Sequence, residues 1–570
     1  MQVELKIYNS KKFVLLIFGL TLMSLFILVL ACGGTTTPAA QAPASYVAPT
    51  AVAPTAVPAP TIASVNTSGK KTTSSNAPQK GGVLRWAVPI STIRSLDPHY
   101  STDWTEYFVN FAVYNNLVEI TAPDGLIGPD LAESWEFSSD GKAITFNLVQ
   151  NAIFHDGTKF DAKVAKWNIE RVKDKEVGAN QAAQIAPINS IQVIDDYTLK
   201  VSLDRPWRPI LASLAERPGY QPSPNAIKKH GSYSERQGEF GRNPVGTGPY
   251  VFREWVLENH ITLDRFDQYF EDGPPYLDSI EYQHFNETEV GLAMLRTGEA
   301  DIYEVEGTRL KYLPIIGNNP KLKTIGGPTG RTYFIQFTVD EEPYDNKSLR
   351  QAISYALDRQ SIIDALFYGE AVPAYQWEGK GWAHNPDARF YDYDPQKAKE
   401  KLAEAGYPNG VKIKYWCTTT TAAIELCSAI QAQLSEVGID LDIQPILGSD
   451  LWKKIYSKRD HGVLAFNTWW SPRGDPHNRL QILVDSAGFH TRTFHYESAE
   501  ADTLMQQGAG IYDPTKAQEI YWNIQKVVAE DAPVTWMLHP NNYMAASKGV
   551  MGFDWAPDVI PRIRDIWMAK

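Results

Sequence analysis

The chain has 570 residues, with 66 acidic against 54 basic side chains and a formal net charge of −12. That balance leaves no basic stripe of the kind that neutralises phosphates, which excludes nucleic acid as the main partner. The length exceeds what one ordinary core holds together, so two or three domains are expected.

The N-terminus carries Lys11 and Lys12, an almost unbroken apolar run from Phe13 to Leu30, and then Ala31-Cys32-Gly33-Gly34. A charged start, an apolar middle and a small residue before a cysteine make an export signal, here residues 1–31, whose removal leaves Cys32 first and open to lipidation. Val29 and Leu30 depart from the usual lipobox, and about 18 apolar residues also suffice for an uncleaved membrane anchor. Either reading puts the remainder on the outer face of the cytoplasmic membrane. Residues 32–80 are rich in Pro, Thr and Ala, with the repeat Val47-Ala48-Pro49-Thr50-Ala51 and Val52-Ala53-Pro54-Thr55-Ala56. A stretch with so little apolar area does not offset its ordering entropy, and as a coil it reaches on the order of 35 to 40 Å.

From Gly81 onward strands and helices alternate. Val83 to Val88 reads as a strand, Thr105 to Leu117 as a helix, Ala143 to Leu148 as an alternating strand and Ala162 to Val172 as a second helix. His155-Asp156-Gly157 fits a hairpin turn, and Gly246-Thr247-Gly248-Pro249 a tight crossing turn before a strand. Leu349, Ala352, Ile353, Ala356 and Leu357 recur at helical spacing after Asn346. Asp394, Pro395 and Gly406 mark a helix at both ends, as cap, first position and terminator. Strands Val411 to Tyr415 and Asp440 to Pro445 flank a helix carrying Ile424, Cys427, Ile430, Leu434 and Val437, which makes a β-α-β unit with a parallel pair. Cys417 and Cys427 are compatible with a small disulfide loop or with two buried thiols, and neither has a partner at metal-ligand spacing. The 16 Trp and 28 Tyr suit a cleft that grips a polar ligand by stacking and ring-edge hydrogen bonds.

Eight blocks in order give these elements a common context. Gly81-Gly82-Val83-Leu84-Arg85, Ser95-Leu96-Asp97-Pro98-His99, Pro129-Asp130-Leu131-Ala132-Glu133-Ser134-Trp135 and Phe154-His155-Asp156-Gly157 open the series. Asn243 to Tyr250, Leu349 to Arg359, Tyr393 to Tyr407 and Ile430 to Ile439 continue it. Together they resemble the extracellular solute-binding proteins of family 5, the oligopeptide, dipeptide and nickel class. The resemblance implies an α/β fold of the periplasmic-binding-protein type, a two-lobed clamp (type II, cluster C) with an extra third domain. It divides the chain into lobe I (81–125, 240–332 and 535–570), an additional domain II (126–239) and lobe III (333–534).

The same resemblance carries over site residues. Trp452 and Arg459, seven residues apart, and Trp469 match ligand-lining positions of the oligopeptide receptors; Trp104 falls at another by ungapped spacing from the Ser95 block and reads equally as a core residue of that lobe. Trp536, on the last predicted strand, is a further candidate. Where those receptors carry a carboxylate for the peptide's ammonium this chain has Pro472, and proline offers the charge no partner. Arg473, one residue on, either holds a carboxylate or phosphate of the ligand by a bidentate pair or braces its own loop against Asp475. Asp475 reads as a helix cap ahead of Pro476 rather than as a ligand contact.

The chain lacks the Gly-x-Ser-x-Gly, His-Glu-x-x-His and Gly-x-x-x-x-Gly-Lys patterns. A non-enzymatic receptor is therefore expected: a monomer tethered through Cys32, without cofactor or metal, that delivers a peptide or other small anionic solute to an ABC permease. A surface hydrolase and a ligand-sensing subunit without transport are the alternatives.

Overall fold

A computed structural model describes residues 77–570 except 102–103, 122–125, 180, 233–238, 380, 449, 452–464, 471–473, 555–560 and 570, and of 308, 465–470, 489 and 492 the backbone alone. The export signal, Cys32 and the tether up to residue 76 lie outside the described residues.

Strand β1 (Val83–Val88) alternates in burial and feeds helix α1 (Trp104–Val113). The helix stops four residues before the expected Leu117 because another segment takes over its last carbonyl: Gly248 N–H donates to Val113 O at 2.9 Å. A Cβ on Gly248 would lie 2.5 Å from Val113 C, so only glycine lets that backbone approach. Beyond the helix, Asn115 and Asn116 turn onto the Asp130 carboxylate at 2.7 and 2.8 Å.

Next come β2 (Ala132–Phe137), β3 (Ala143–Leu148), α2 (Ala162–Lys173), β4 (Ile188–Asp195) and β5 (Thr198–Leu203), an antiparallel sheet in the order β2-β3-β5-β4 with α2 against it. Asp161 caps α2 by accepting from Lys163 N–H and Val164 N–H. The His155 turn closes as expected, with Phe154 N–H on Thr158 O at 2.7 Å and Gly157 at φ 79°. This body is fixed to the N-terminal part by Arg171, whose fork holds Asp97 at 3.1 and 2.6 Å with both side chains almost wholly buried.

The chain continues through β6 (Tyr250–Val256), β7 (His260–Arg265), β8 (Ser279–His284), β9 (Ile302–Val305) and β10 (Leu322–Pro328). After residues 329–331 it enters β11 (Thr332–Phe337), α3 (Lys347–Tyr355, capped by Asn346), β12 (Ala371–Pro373) and α4 (Pro395–Glu404). Asp394 accepts from Lys397 N–H at 2.9 Å, the cap its sequence predicts. Then β13 (Val411–Thr418), α5 (Thr421–Glu436) and β14 (Ile439–Ile446) form the parallel β-α-β unit, in register from Val411↔Ile439 to Thr418↔Ile446. Cys417 and Cys427 are joined in a disulfide across it. The apolar face of α5 differs at one end: Ile424 is half exposed, and Leu426 takes its place among the buried residues. Strand β15 (Ala465–Trp470), α6 (Pro476–Leu483), α7 (Pro514–Asp531) and the long β16 (Val534–Ser547) follow.

One ten-stranded sheet connects these parts, with a path β15-β11-β16-β9-β1-β8-β7-β6 and with β10 and β12 also paired to β16. Strand β16 changes partners midway. Its residues 534–540 pair with β11 and β12, and its residues 541–547 pair with β9 and β10. The described chain therefore passes between the two halves of the sheet at 329–331 and again at 540–541, and Thr329 Oγ1 donates to Pro540 O at 2.9 Å to tie the two crossings together.

Candidate functional site

Arg331 sits in the first crossing, 1% exposed. Its guanidinium carbon lies 4.7 Å from the ring centroid of Trp104, at the start of α1. The indole Nε1 donates to Glu304 Oε1 at 3.2 Å, and Asn542 Nδ2 of β16 donates to the same oxygen at 3.1 Å. Arg331 also pairs with Glu306, and Arg309 reaches Glu306 at 2.8 Å and Glu304 at 3.9 Å. Two guanidiniums and two carboxylates thus balance at the point where the sheet halves meet. Burial holds the Arg331 guanidinium below its usual range even with Glu304 opposing the shift, so the site keeps this charge only because partners surround it.

Helix α1 extends the wall. Trp104, Tyr107 and Phe111 follow at i, i+3 and i+7 and so share one face, with ring centroids 5.8 Å apart from Trp104 to Tyr107 and from Tyr107 to Phe111. Each ring has a guanidinium over it: Arg331 on Trp104, Arg217 at 3.9 Å on Tyr107 and Arg562 at 5.4 Å on Phe111. Tyr107 donates its hydroxyl to Glu216 Oε2 at 2.8 Å. Such cation-π contacts fix both partners, and the row presents flat rings and cationic edges rather than a nucleophile and base.

Of the sequence candidates, Trp104 is half-buried in this wall. Trp469 is placed through its backbone, in register opposite Tyr333, two residues after Arg331. Trp452, Arg459 and Arg473 lie outside the described residues. Trp536 is 6% exposed and packs edge-on to Phe334 at 5.4 Å in an apolar core. Its place on a strand was legible, but which face that strand buries depends on α7 and other remote segments. Asp475 caps α6 as expected, accepting from His477 N–H at 2.9 Å. Both of its oxygens also meet the Arg208 fork, at 2.8 and 3.0 Å.

Sequence reasoning missed Arg331, Glu304, Glu306, Arg217 and Arg208. Only Arg331 carries a local signal, the glycine-rich run Gly326-Gly327-Pro328-Thr329-Gly330 that precedes it at the crossing. No group of three or more His, Cys, Asp or Glu side chains suited to a metal ion occurs among the described residues.

Residues 127–491 match the family model of bacterial extracellular solute-binding proteins, family 5 (middle). The glutathione-binding protein GsiB of Pectobacterium atrosepticum is 29% identical over 483 residues, covering 83% of this chain and 92% of the relative. Among solved structures, the periplasmic binding protein DppA of Helicobacter pylori, in complex with the peptide STSA, superposes with a TM-score of 0.75 at 25% identity over 86% of this chain and 99% of that one. AgaA of A. tumefaciens R10, in complex with agropinic acid, does so at 0.74 and 26%, over 86% and 99%. The fold is therefore the two-lobed clamp with an additional domain.

Proposed function

The chain belongs to the bacterial extracellular solute-binding proteins of family 5, and from that premise we propose that it captures a peptide-like or other small anionic solute between its lobes and hands it to an ABC permease. The observation that carries this reading is the Arg331, Arg217 and Arg562 row over the rings of α1. Flat rings and guanidinium edges grip carboxylates and planar amides, and the three guanidiniums are buried here as they would be in a closed clamp. Pro472 supplies no counter-charge for an amine, so the ligand is held by its acidic end, with Arg473 and Trp469 completing the grip from the second lobe. GsiB and AgaA, named for glutathione and crystallised with agropinic acid, make acidic solutes of that size the first choice.

In this reading lobe I is 81–125, 240–332 and 535–570, domain II is 126–239 and lobe III is 333–534. The hinge is then the pair of crossings at 329–331 and 540–541, and closure excludes water from the wall. The protein carries no chemistry of its own, and Cys32 holds it to the membrane by a lipid beyond the tether.

Melting shifts across a solute panel test this proposal. Glutathione and short peptides are expected to raise the melting temperature, N-acetylation to preserve the shift and C-terminal amidation to abolish it. Turnover of any panel member, or a shift lost on N-acetylation and kept on amidation, overturns the reading.

A further inference from the structure

The four-stranded body has two unlike contacts with the rest of the chain. Toward α1 and β6 it is fixed by the buried Arg171–Asp97 pair and by His155, whose Nε2 donates to Gly248 O at 2.9 Å. Toward the segment 474–521 the contact joins ring packing, Phe137 on Tyr512 at 4.6 Å among it, to a set of polar bonds, and Ala509 is the one described residue of that segment in the body's apolar core.

Arg208, which follows β5, dominates this second contact. All five of its N–H donors are used across it. Nε and Nη2 hold Asp475 at 2.8 and 3.0 Å, Nη1 donates to Gly508 O at 3.2 Å and Ile511 O at 2.9 Å, and Nη2 donates to Tyr521 OH at 2.9 Å. Trp382 stacks on the guanidinium at 4.6 Å. Both charged side chains of the pair are 9% exposed. The Arg208 amide adds a backbone bond to Ala509 O at 2.8 Å. Nearby, Trp207 meets the His477 ring edge-on at 4.4 Å, and Tyr512 OH donates to Gly141 O at 2.8 Å.

We propose that Arg208 is a positioning residue for solute capture: its insertion into the socket of Asp475, Tyr521 and Trp382 latches domain II, and lobe I with it through Arg171–Asp97, onto lobe III and sets the closed fraction before any solute is bound. The socket is complete without a ligand atom, so it contributes to closure whatever the solute. Each of its bonds is of a kind that water replaces when the faces part. Because Asp475 also caps α6, the latch holds the start of that helix in place. This inference rests on the receptor reading above for its meaning, but its test needs no solute.

The test compares full-length wild type with Arg208→Gln and with Asp475→Asn, which keeps a capping side chain and loses the charge. Hydrogen exchange at the backbone amide of position 208 reports opening directly, and small-angle scattering of solute-free protein reports the radius of gyration. Both variants are expected to lower protection of that amide about tenfold or more and to raise the radius of gyration. Unchanged protection and radius in both variants, or a change in only one of them, overturns the pairing. A lower melting temperature at an unchanged radius is the result of a purely structural contact and also overturns it. Should Arg208→Gln fail to fold, Asp475→Asn decides alone on the same two readouts. Glutathione titrated into the same proteins keeps the two readings apart: no binding by wild type, with the radius still responding to the variants, counts against glutathione as solute and leaves the latch standing.

Discussion

Arg331 and Arg208 are both buried arginines ringed by acceptors and an aromatic face, yet the structure uses them in opposite ways. Arg331 lies in a chain crossing, and its partner Glu304, together with the Asn542 that donates to the same Glu304 oxygen, belongs to strands of one continuous sheet. Burial lowers its proton affinity. Arg208 bridges segments 267 residues apart in sequence, and although burial opposes it, Asp475 raises its affinity above the usual range. A charge inside a hinge must be neutralised in every state of the clamp. A charge across the cleft can be matched in one state and returned to water in another. On the proposed hinge and latch, burial alone does not tell an arginine whose partners stay with it from one whose partners part from it when the lobes open.

The strongest attempt to break this contrast is Arg331→Met, which leaves Glu304 and Glu306 with Arg309 as the one cation of the cluster. Removing one partner of a buried pair costs about 3–5 kcal/mol, and denaturant unfolding is expected to show a loss of that order. Arg208→Gln should cost clearly less in the same measurement, because its vacated partners can reach water when the cleft opens. Equal losses at the two positions would erase the distinction.

Acid reaches both regions through histidines. His539, whose Nδ1 lies 3.0 Å from Arg331 O, and His477, beside Trp207 at the latch, are both pushed by burial down to about 3. The folded form then binds fewer protons than the unfolded chain between their ordinary value of 6.5 and about 3. Their contribution is complete above pH 6.5 and is lost as pH falls, by about 1.4 kcal/mol per pH unit for each. Glu378 acts in the opposite sense. Burial raises it to about 7 from 4.5, so its neutral form is favoured and stability declines as pH rises through that window. Unfolding free energy should fall as pH drops below 6.5 and more steeply below 4.5, where Glu378 no longer offsets one histidine, and Glu378→Gln should steepen the slope between 4.5 and 6.5.

Smaller in scale is Trp104→Phe. It keeps a ring under Arg331 and removes only the Nε1 bond to Glu304, so a stability change of about 1 kcal/mol is expected. Solute affinity should fall more than stability if the ring is part of the wall that meets the ligand. Salt sharpens the contrast most gently. Raising ionic strength should enlarge the solute-free radius of gyration through the 9%-exposed Arg208 pair and leave the Arg331 cluster, 1% exposed at its arginine side chain, unmoved.

Much of the architecture was legible from local signals. Asp394, Pro395 and Gly406 bounded α4, Asn346 opened α3, and the apolar period of α5 between two expected strands announced the parallel β13/β14 pair. The end of α1 was misjudged because Gly248, supplied by a distant segment, captures the Val113 carbonyl. The wall was legible only in part. Trp104 stood out as an aromatic near a recognised block, whereas Arg331, Glu304 and Arg217 have no feature that separates them from dozens of other charged residues until the sheet brings them to α1.

By itself the sequence determined the α/β alternation, the capped helices and the family. These features are encoded by residues a few positions apart, where capping bonds and apolar periodicity act within one turn or one strand. The tertiary structure alone decided which guanidinium faces which ring, where β16 exchanges partners and that Asp475 serves Arg208 as well as its own helix. The reason is physical. A buried charge is stabilised by whatever carboxylate the folded path brings within about 3 Å, and over 267 residues that path is set by the packing of the whole chain and not by the pair itself.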